Sequence, residues 1–441
     1  MSEPFIHVGI LSAPSIDIVL HDTYTADGKD VTGPQTVSIT PDRRMAWQGE
    51  TYDTIEFKPC DPKKGVVEIK DVVIGVNFHW ERKEDQRFSG SARFIVEGDK
   101  LTVVNVLPVE DYLLSVISSE MSAHASLELL KAHAVISRSW LLAQIAKTKD
   151  IVESGVKYNA WTETDDERVK WYDREDHTNF DVCADDHCQR YQGVTRQSTP
   201  KVAEAIAATR GQVLTYDGKL CDARFSKCCG GVFEEFENCW EPKHYHYLGA
   251  RRDGANETDF PNLRDEATAT DWITTRPDAF CNTADAAILS QVLNNYDQET
   301  TDFYRWTVQY TRAEISEIAC RRSGIDFGEI VDLVPVERGT SGRLVRLKIV
   351  GTKCTKIIGK ELEIRKTLSN SHLYSSAFTV ERHGVDPTTG LPESFTLRGA
   401  GWGHGVGLCQ IGAAVMGARG YDYRQILNHY FIDASIDKLY E

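Results

Sequence analysis

Over residues 5–105 apolar and β-branched side chains come in short runs, Phe5–Ile10, Val66–Ile69 and Val72–Val76, broken by Asp27-Gly28 and by Lys63-Lys64-Gly65. That pattern predicts short strands joined by turns. Phe94-Ile95-Val96 and Leu101–Val104 flank Glu97-Gly98-Asp99-Lys100 and predict a hairpin. From Pro108 the period changes. Proline suits a first helical turn, Glu110 and Asp111 suit the positive end of a helix dipole, and Tyr112, Leu113, Val116 and Ile117 recur at helical spacing. A turn is expected over Ser118–Ser122, then a long helix capped by Ser126 and running to about Ala146, with Leu127, Leu130, Ala134, Leu141 and Ile145 inward. Residues 148–200 are polar and turn-rich, too long for a plain connection. Strands are expected at 211–226 and within 330–380, with helices near 283–297 and 313–323. A glycine-rich stretch, 399–407, runs into a helix of small residues, 408–418, that Gly420 ends, and a last helix starts at Asp422.

These elements predict an α+β fold. Its expected parts are a β-rich N-terminal region (1–105), a mixed helical catalytic core (106–256), an inserted α/β segment (257–384) and the completion of that core (385–441). A chain of 441 residues can bury more than one core. The net charge of −16 argues against a nucleic-acid partner and against electrostatic attachment to anionic membranes, and is compatible with a polysaccharide. No apolar stretch approaches the ~20 residues of a membrane span. Met1-Ser2-Glu3-Pro4 shows no basic region followed by an apolar one, so no secretory signal is recognised and the compartment stays open.

Eleven cysteines without framework spacing are expected to be mostly reduced and buried. One group stands apart. His177, Cys183, His187 and Cys188 bring four nitrogen or sulfur donors within twelve residues, as a structural zinc site requires. A Cys183–Cys188 disulfide is the competing reading. Gly401-Trp402-Gly403-His404-Gly405-Val406-Gly407 is no dinucleotide fingerprint, since its glycines fall on every second residue. Such alternation lets the backbone pass close to a ligand or to another strand.

Several segments, in order, resemble the stage II sporulation protein D family, also called the amidase-enhancer or LytB family. They are Val106–Leu113 leading into Ser119-Glu120-Met121, Leu129–Trp140, Cys188–Gly193, Ala208–Leu214, Phe225–Gly231, Gly401–Gly407 with Gln410 and Gly412-Ala413, and Ile426–Tyr430. His133, Ser139-Trp140 and Cys409 depart from the family's usual Gln, Thr-Tyr and Ser. The resemblance implies a lytic transglycosylase acting on peptidoglycan glycan strands stripped of stem peptides, with Glu120 as the single catalytic acid and 1,6-anhydro ends as product. It also implies zinc near residues 177–188 and a mostly extracytoplasmic location.

Lys131 and Arg138 share a helix face, and either flank the acid and grip substrate or form a solvated stripe with snorkelling stems. Trp402 either stacks on a sugar or packs in the core, and His404 is expected near Glu120 with Gln410. Ser226, Gly230 and Gly231, beside Cys228-Cys229, either line the same cleft or mark a plain strand-to-turn junction. A cysteine–histidine hydrolase finds no sequence-level pairing of thiol and imidazole. Two other functions stay open: a non-catalytic enhancer that binds a cell-wall amidase, and a carbohydrate-binding module built on Trp402.

Overall fold

The structure is a computed structural model that describes residues 2–74, 82–122, 125–154, 161–171, 177–185, 188–195, 199–255, 259–292 and 301–441. Within its N-terminal sheet strand Lys100–Pro108 lies antiparallel to Phe5–Ala13 on one side and to Ser91–Glu97 on the other. The hairpin is in the expected register, with Glu97 opposite Lys100. Beyond it the sheet continues through Ile55–Pro59, Ser15–Ala26 and Lys29–Ile39. Its inner face is aromatic, with Phe57 edge-on to Trp47 at 5.3 Å and to Phe94 at 5.9 Å between ring centroids. On the outer edge of Phe5–Ala13 a two-residue strand, Val182–Cys183, pairs in parallel.

Strand Lys100–Pro108 feeds directly into helix α1, Val109–Glu120. Tyr112, Leu113, Val116 and Ile117 are all buried, as their spacing predicts. The turn expected at Ser118 is instead a last helical turn. Ser118 Oγ donates to the Leu114 carbonyl at 2.6 Å, so its hydroxyl is satisfied inside the helix rather than competing with it. Glu120 is thereby the final helical residue. Helix α2, Leu127–Ser154, opens on the expected cap, with the Leu129 N–H donating to Ser126 Oγ at 3.2 Å, and runs past the predicted end.

One continuous hydrophobic core joins the N-terminal sheet, α1, α2 and the C-terminal helices, so the expected division at 105/106 separates no cores. A second core spans Trp306 to Leu397 and so continues past the expected limit at 384. Around it lie a three-stranded sheet and a five-stranded one, the latter recruiting Glu167–Lys170 in parallel to Thr355–Gly359 and then Trp161–Glu163. The polar segment thus contributes to this sheet two strands that its composition conceals. Helix Arg312–Ser323 carries a capping box of Thr311 and Glu314 and ends on Gly324 at φ 70. Near 283–297 the described helix is Ala286–Leu289, and residues 293–297 lie outside the described residues. The fold is α+β, as expected. No helix among the described residues is long and apolar enough to cross a membrane.

Candidate active site

Glu120 sits where α1 gives way to extended chain at Met121, and is half-buried. Its Oε1 accepts the backbone N–H of Arg190 at 3.3 Å. The segment carrying Arg190 is laid against both helices. Tyr112 Oη donates to Gln189 Oε1 at 3.1 Å, Gln189 Nε2 donates to the Ser137 carbonyl at 3.4 Å, and the Gln192 N–H donates to Ser115 Oγ at 3.0 Å. Tyr191 stacks on Tyr112 at 4.9 Å. The loop after Glu120 is tied to a different part of the chain. Ser122 N–H donates to the Gln291 carbonyl at 3.1 Å and Ser126 N–H to Gln291 Oε1 at 3.0 Å. The neighbouring Val292 carbonyl accepts Lys227 Nζ at 2.7 Å. Lys227 is therefore held beside the loop that follows the acid, a place its sequence context does not disclose.

The predicted zinc ligands that can be described converge. His177, Cys183 and Cys188 offer donor atoms within 4.8 Å of one another, with Cys188 Sγ 3.5 Å from His177 Nε2. Cys183 is brought there by the edge strand, and His177 by stacking on Phe180 at 4.6 Å. His187 lies outside the described residues. No disulfide joins Cys183 to Cys188. One imidazole and two thiols suit zinc in donor type and spacing.

The other predicted residues lie in a braid of two segments, 225–234 and 400–410. Phe225 and Ser226 pair in parallel with Leu408 and Cys409, and Cys228 bridges Trp402. Gly401, Gly403, Gly405 and Gly407 all have positive φ, from 71 to 89. The close approach they permit is to the protein itself. A Cβ on Gly405 would lie 2.5 Å from Arg343 Cζ, and one on Gly407 2.1 Å from the Arg224 carbonyl oxygen. Gly230 and Gly231 serve the same crossing, at φ 82 and 106. Ser226 is buried, and among the described residues its Oγ makes no hydrogen bond.

His404 does not have a free edge for substrate. Its Nε2–H donates to the Phe225 carbonyl at 3.0 Å, its Nδ1 accepts the Val406 N–H at 3.0 Å, and its ring packs on Trp240. Burial, with Arg224 and Arg343 nearby, holds its pKa well below the usual histidine value, so it is neutral. Trp402 has one face stacked on Phe303 at 4.8 Å and Tyr374 at its edge, so it belongs to the packing as much as to any cleft. Gln410 is buried, and its Nε2 donates to His133 Nε2 at 3.1 Å. His133 Nδ1–H then faces Ser137 Oγ at 3.2 Å. A hydrogen-bonded line therefore runs from the braid through Gln410, His133 and Ser137 to Gln189, next to the residue that touches Glu120.

Both helix cations have partners within the protein. Arg138 is fully buried, forks onto Glu110 at 3.0 and 2.7 Å, and also donates to the Gln212 carbonyl at 2.9 Å. Its planar fork is used to anchor α2 to α1. Lys131 pairs with Glu128 at 2.7 Å and lies over the Tyr423 ring.

The α+β scaffold carries two marked features, a buried helix that ends on Glu120 and a braid of alternating glycines. Residues 97–216 match the family described as stage II sporulation protein, and residues 234–407 match a domain of unknown function (DUF8618). The chain is similar to the stage II sporulation protein D and LytB family. It is 22% identical to stage II sporulation protein D of Bacillus subtilis, over 76% of each chain. It is 26% identical to the amidase enhancer of the same species, over 72% of this chain and 39% of that one. It is 25% identical to an uncharacterized protein of Brachyspira hyodysenteriae, over 78% of this chain and 70% of that one.

Proposed function

We propose that the chain cleaves peptidoglycan glycan strands as a lytic transglycosylase, with Glu120 as its one acid–base group. Similarity to that family supports a cell-wall-related role; the finer reading rests on Glu120. The observation that carries it is a half-buried carboxyl at the end of α1, one oxygen steadied by the Arg190 N–H. In the reaction the Glu120 proton passes to the glycosidic oxygen as its bond to the anomeric carbon breaks. The 6-hydroxyl of the same sugar attacks that carbon, and the Glu120 carboxylate takes up the hydroxyl proton. A 1,6-anhydro ring forms, no water is consumed, and no second enzymic carboxylate is needed, unlike in paired-carboxylate glycosidases. Lys227 is the polar group of the braid best suited to meet the glycan.

A zinc ion held by His177, Cys183, His187 and Cys188 belongs to the same reading. Bound there, it supplies structure rather than chemistry, fixing the segment that presents Gln189 and Arg190 to the helices.

The test is incubation of the purified chain with peptide-stripped glycan and weighing of the products. Anhydro-ended fragments are expected, and Glu120→Gln, which keeps the shape but carries no transferable proton, should slow their release by ~10²–10⁴-fold. Equal rates for the two proteins would remove Glu120 from the chemistry. No fragments from either, with stimulation of an added cell-wall amidase, would instead favour the enhancer role that the name of one relative suggests.

A further inference from the structure

We infer that Cys229, Asp253, Cys281 and Cys409 form a separate, closed binding site for one zinc ion at the base of the glycine braid. The site is independent of the glycan reading. One ligand atom from each residue lies within 4.8 Å of all the others. The four residues stand at 2%, 0%, 1% and 0% exposure, so nothing from solvent can satisfy them. Asp253 and Cys281 are 24 and 52 positions from Cys229, and Cys409 is 180 away. The fold assembles this group from remote segments.

The spacing fits a metal better than a covalent link. Cys229 Sγ and Cys281 Sγ are 3.5 Å apart. A disulfide would bring them to about 2.05 Å, whereas thiolates about 2.3 Å from a tetrahedral zinc stand about 3.8 Å from each other. Asp253 completes the donor set. Its Oδ1 is held by Tyr430 Oη at 3.0 Å and by His429 Nε2 at 3.3 Å, which turns Oδ2 toward the sulfurs, 3.5 Å from Cys229 Sγ. Among the described residues no lysine or arginine pairs with this buried carboxylate, and a divalent ion would supply the missing positive charge.

The surroundings are those of metal-bound thiolates. Cys409 Sγ accepts the Cys229 N–H at 3.2 Å, Cys229 Sγ accepts the Gly231 N–H at 3.4 Å, and Asp253 Oδ2 accepts the Cys281 N–H at 3.0 Å. Gly412 is required for the approach, since a Cβ there would lie 2.8 Å from Asp253 Oδ2. With all four ligands supplied by protein, the site has no open position and its role is structural. It would clamp the turn at 229–231, the connection at 253–281 and the start of helix Gln410–Ala418, whose first residue touches His133.

The experiment is zinc analysis of the full chain purified under reducing conditions, alongside a Cys183→Ser/Cys188→Ser double variant that dismantles the other cluster. The double variant should retain one equivalent, and X-ray absorption should count three sulfurs around it. If that variant does not fold, the wild type decides by its average of more than two sulfurs per zinc. The inference is overturned by a folded double variant without zinc, by a wild-type average of two or fewer sulfurs, or by a Cys229–Cys281 disulfide in non-reducing peptide mass analysis.

Discussion

His404 meets backbone with both ring nitrogens, and that fixes what its removal should do. His404→Ala would leave the Phe225 carbonyl and the Val406 N–H without partners and open a gap beside Trp240. A loss of roughly 2–4 kcal/mol in denaturant unfolding is expected. An unchanged midpoint with slowed turnover would return the ring to the substrate side. His133 adds a pH effect. Burial, with Lys227 nearby, brings its folded pKa down to about 3 from the ordinary histidine value of 6.5. Between these values the unfolded chain binds a proton that the folded chain does not, so stability is complete above pH 6.5 and is lost as pH falls toward 3. The slope is at most about 1.4 kcal/mol per pH unit. His133→Gln should flatten that part of the profile, as read from urea midpoints across pH. An unaltered slope would mean that another group titrates.

At the scale of elements, the alternating glycines separate two costs that a sequence motif confounds. Gly405 has φ 77 and no room, because its Cβ would strike the buried Arg343 guanidinium, itself fixed by the Cys229 carbonyl at 3.0 Å and the Gly403 carbonyl at 3.0 Å. Gly420 has φ 87 and nothing within 4 Å. Gly420→Ala should therefore cost only the left-handed backbone term, about 1–2 kcal/mol, while Gly405→Ala should cost that and a further 1–3 kcal/mol of overpacking. Equal urea midpoints for the two variants would contradict this account of the motif. The same contrast shows what was legible in the sequence. The apolar face of α1, the cap at Ser126 and the start of the last helix at Asp422 are local, so periodicity and cap chemistry reveal them. The partner of each glycine, the strands at 161–170 and the role of Arg138 depend on segments far along the chain, which no local pattern encodes. Glu120 is intermediate: its helix end is readable, but its contact with Arg190, 70 positions on, is not.

At the scale of the molecule, one buried carboxylate is among the polar links that join the two cores. Glu234 lies in the first core's braid, its N–H donating to the Gly405 carbonyl at 3.0 Å. Its side chain reaches the turn between the second core's strands Ile330–Arg338 and Leu344–Gly351. There Oε1 accepts Thr340 N–H at 3.0 Å and Thr340 Oγ1 at 2.8 Å, and Oε2 accepts Ser341 N–H at 3.2 Å and Ser341 Oγ at 2.6 Å. Asn238 Nδ2 adds a further donor at 2.7 Å. Each of these partners donates, so both oxygens must be acceptors. Glu234→Gln turns one of them into an N–H pair facing donors, which removes two hydrogen bonds and should cost about 2–4 kcal/mol. The loss falls on the junction rather than on either core, since no apolar contact changes. Hydrogen exchange should then show strands Leu344–Gly351 and Thr355–Gly359 opening separately from α2, with two unfolding transitions where the parent shows one. If the variant exchanges both regions together and melts in one step at a lower temperature, the cores are coupled by more than this carboxylate.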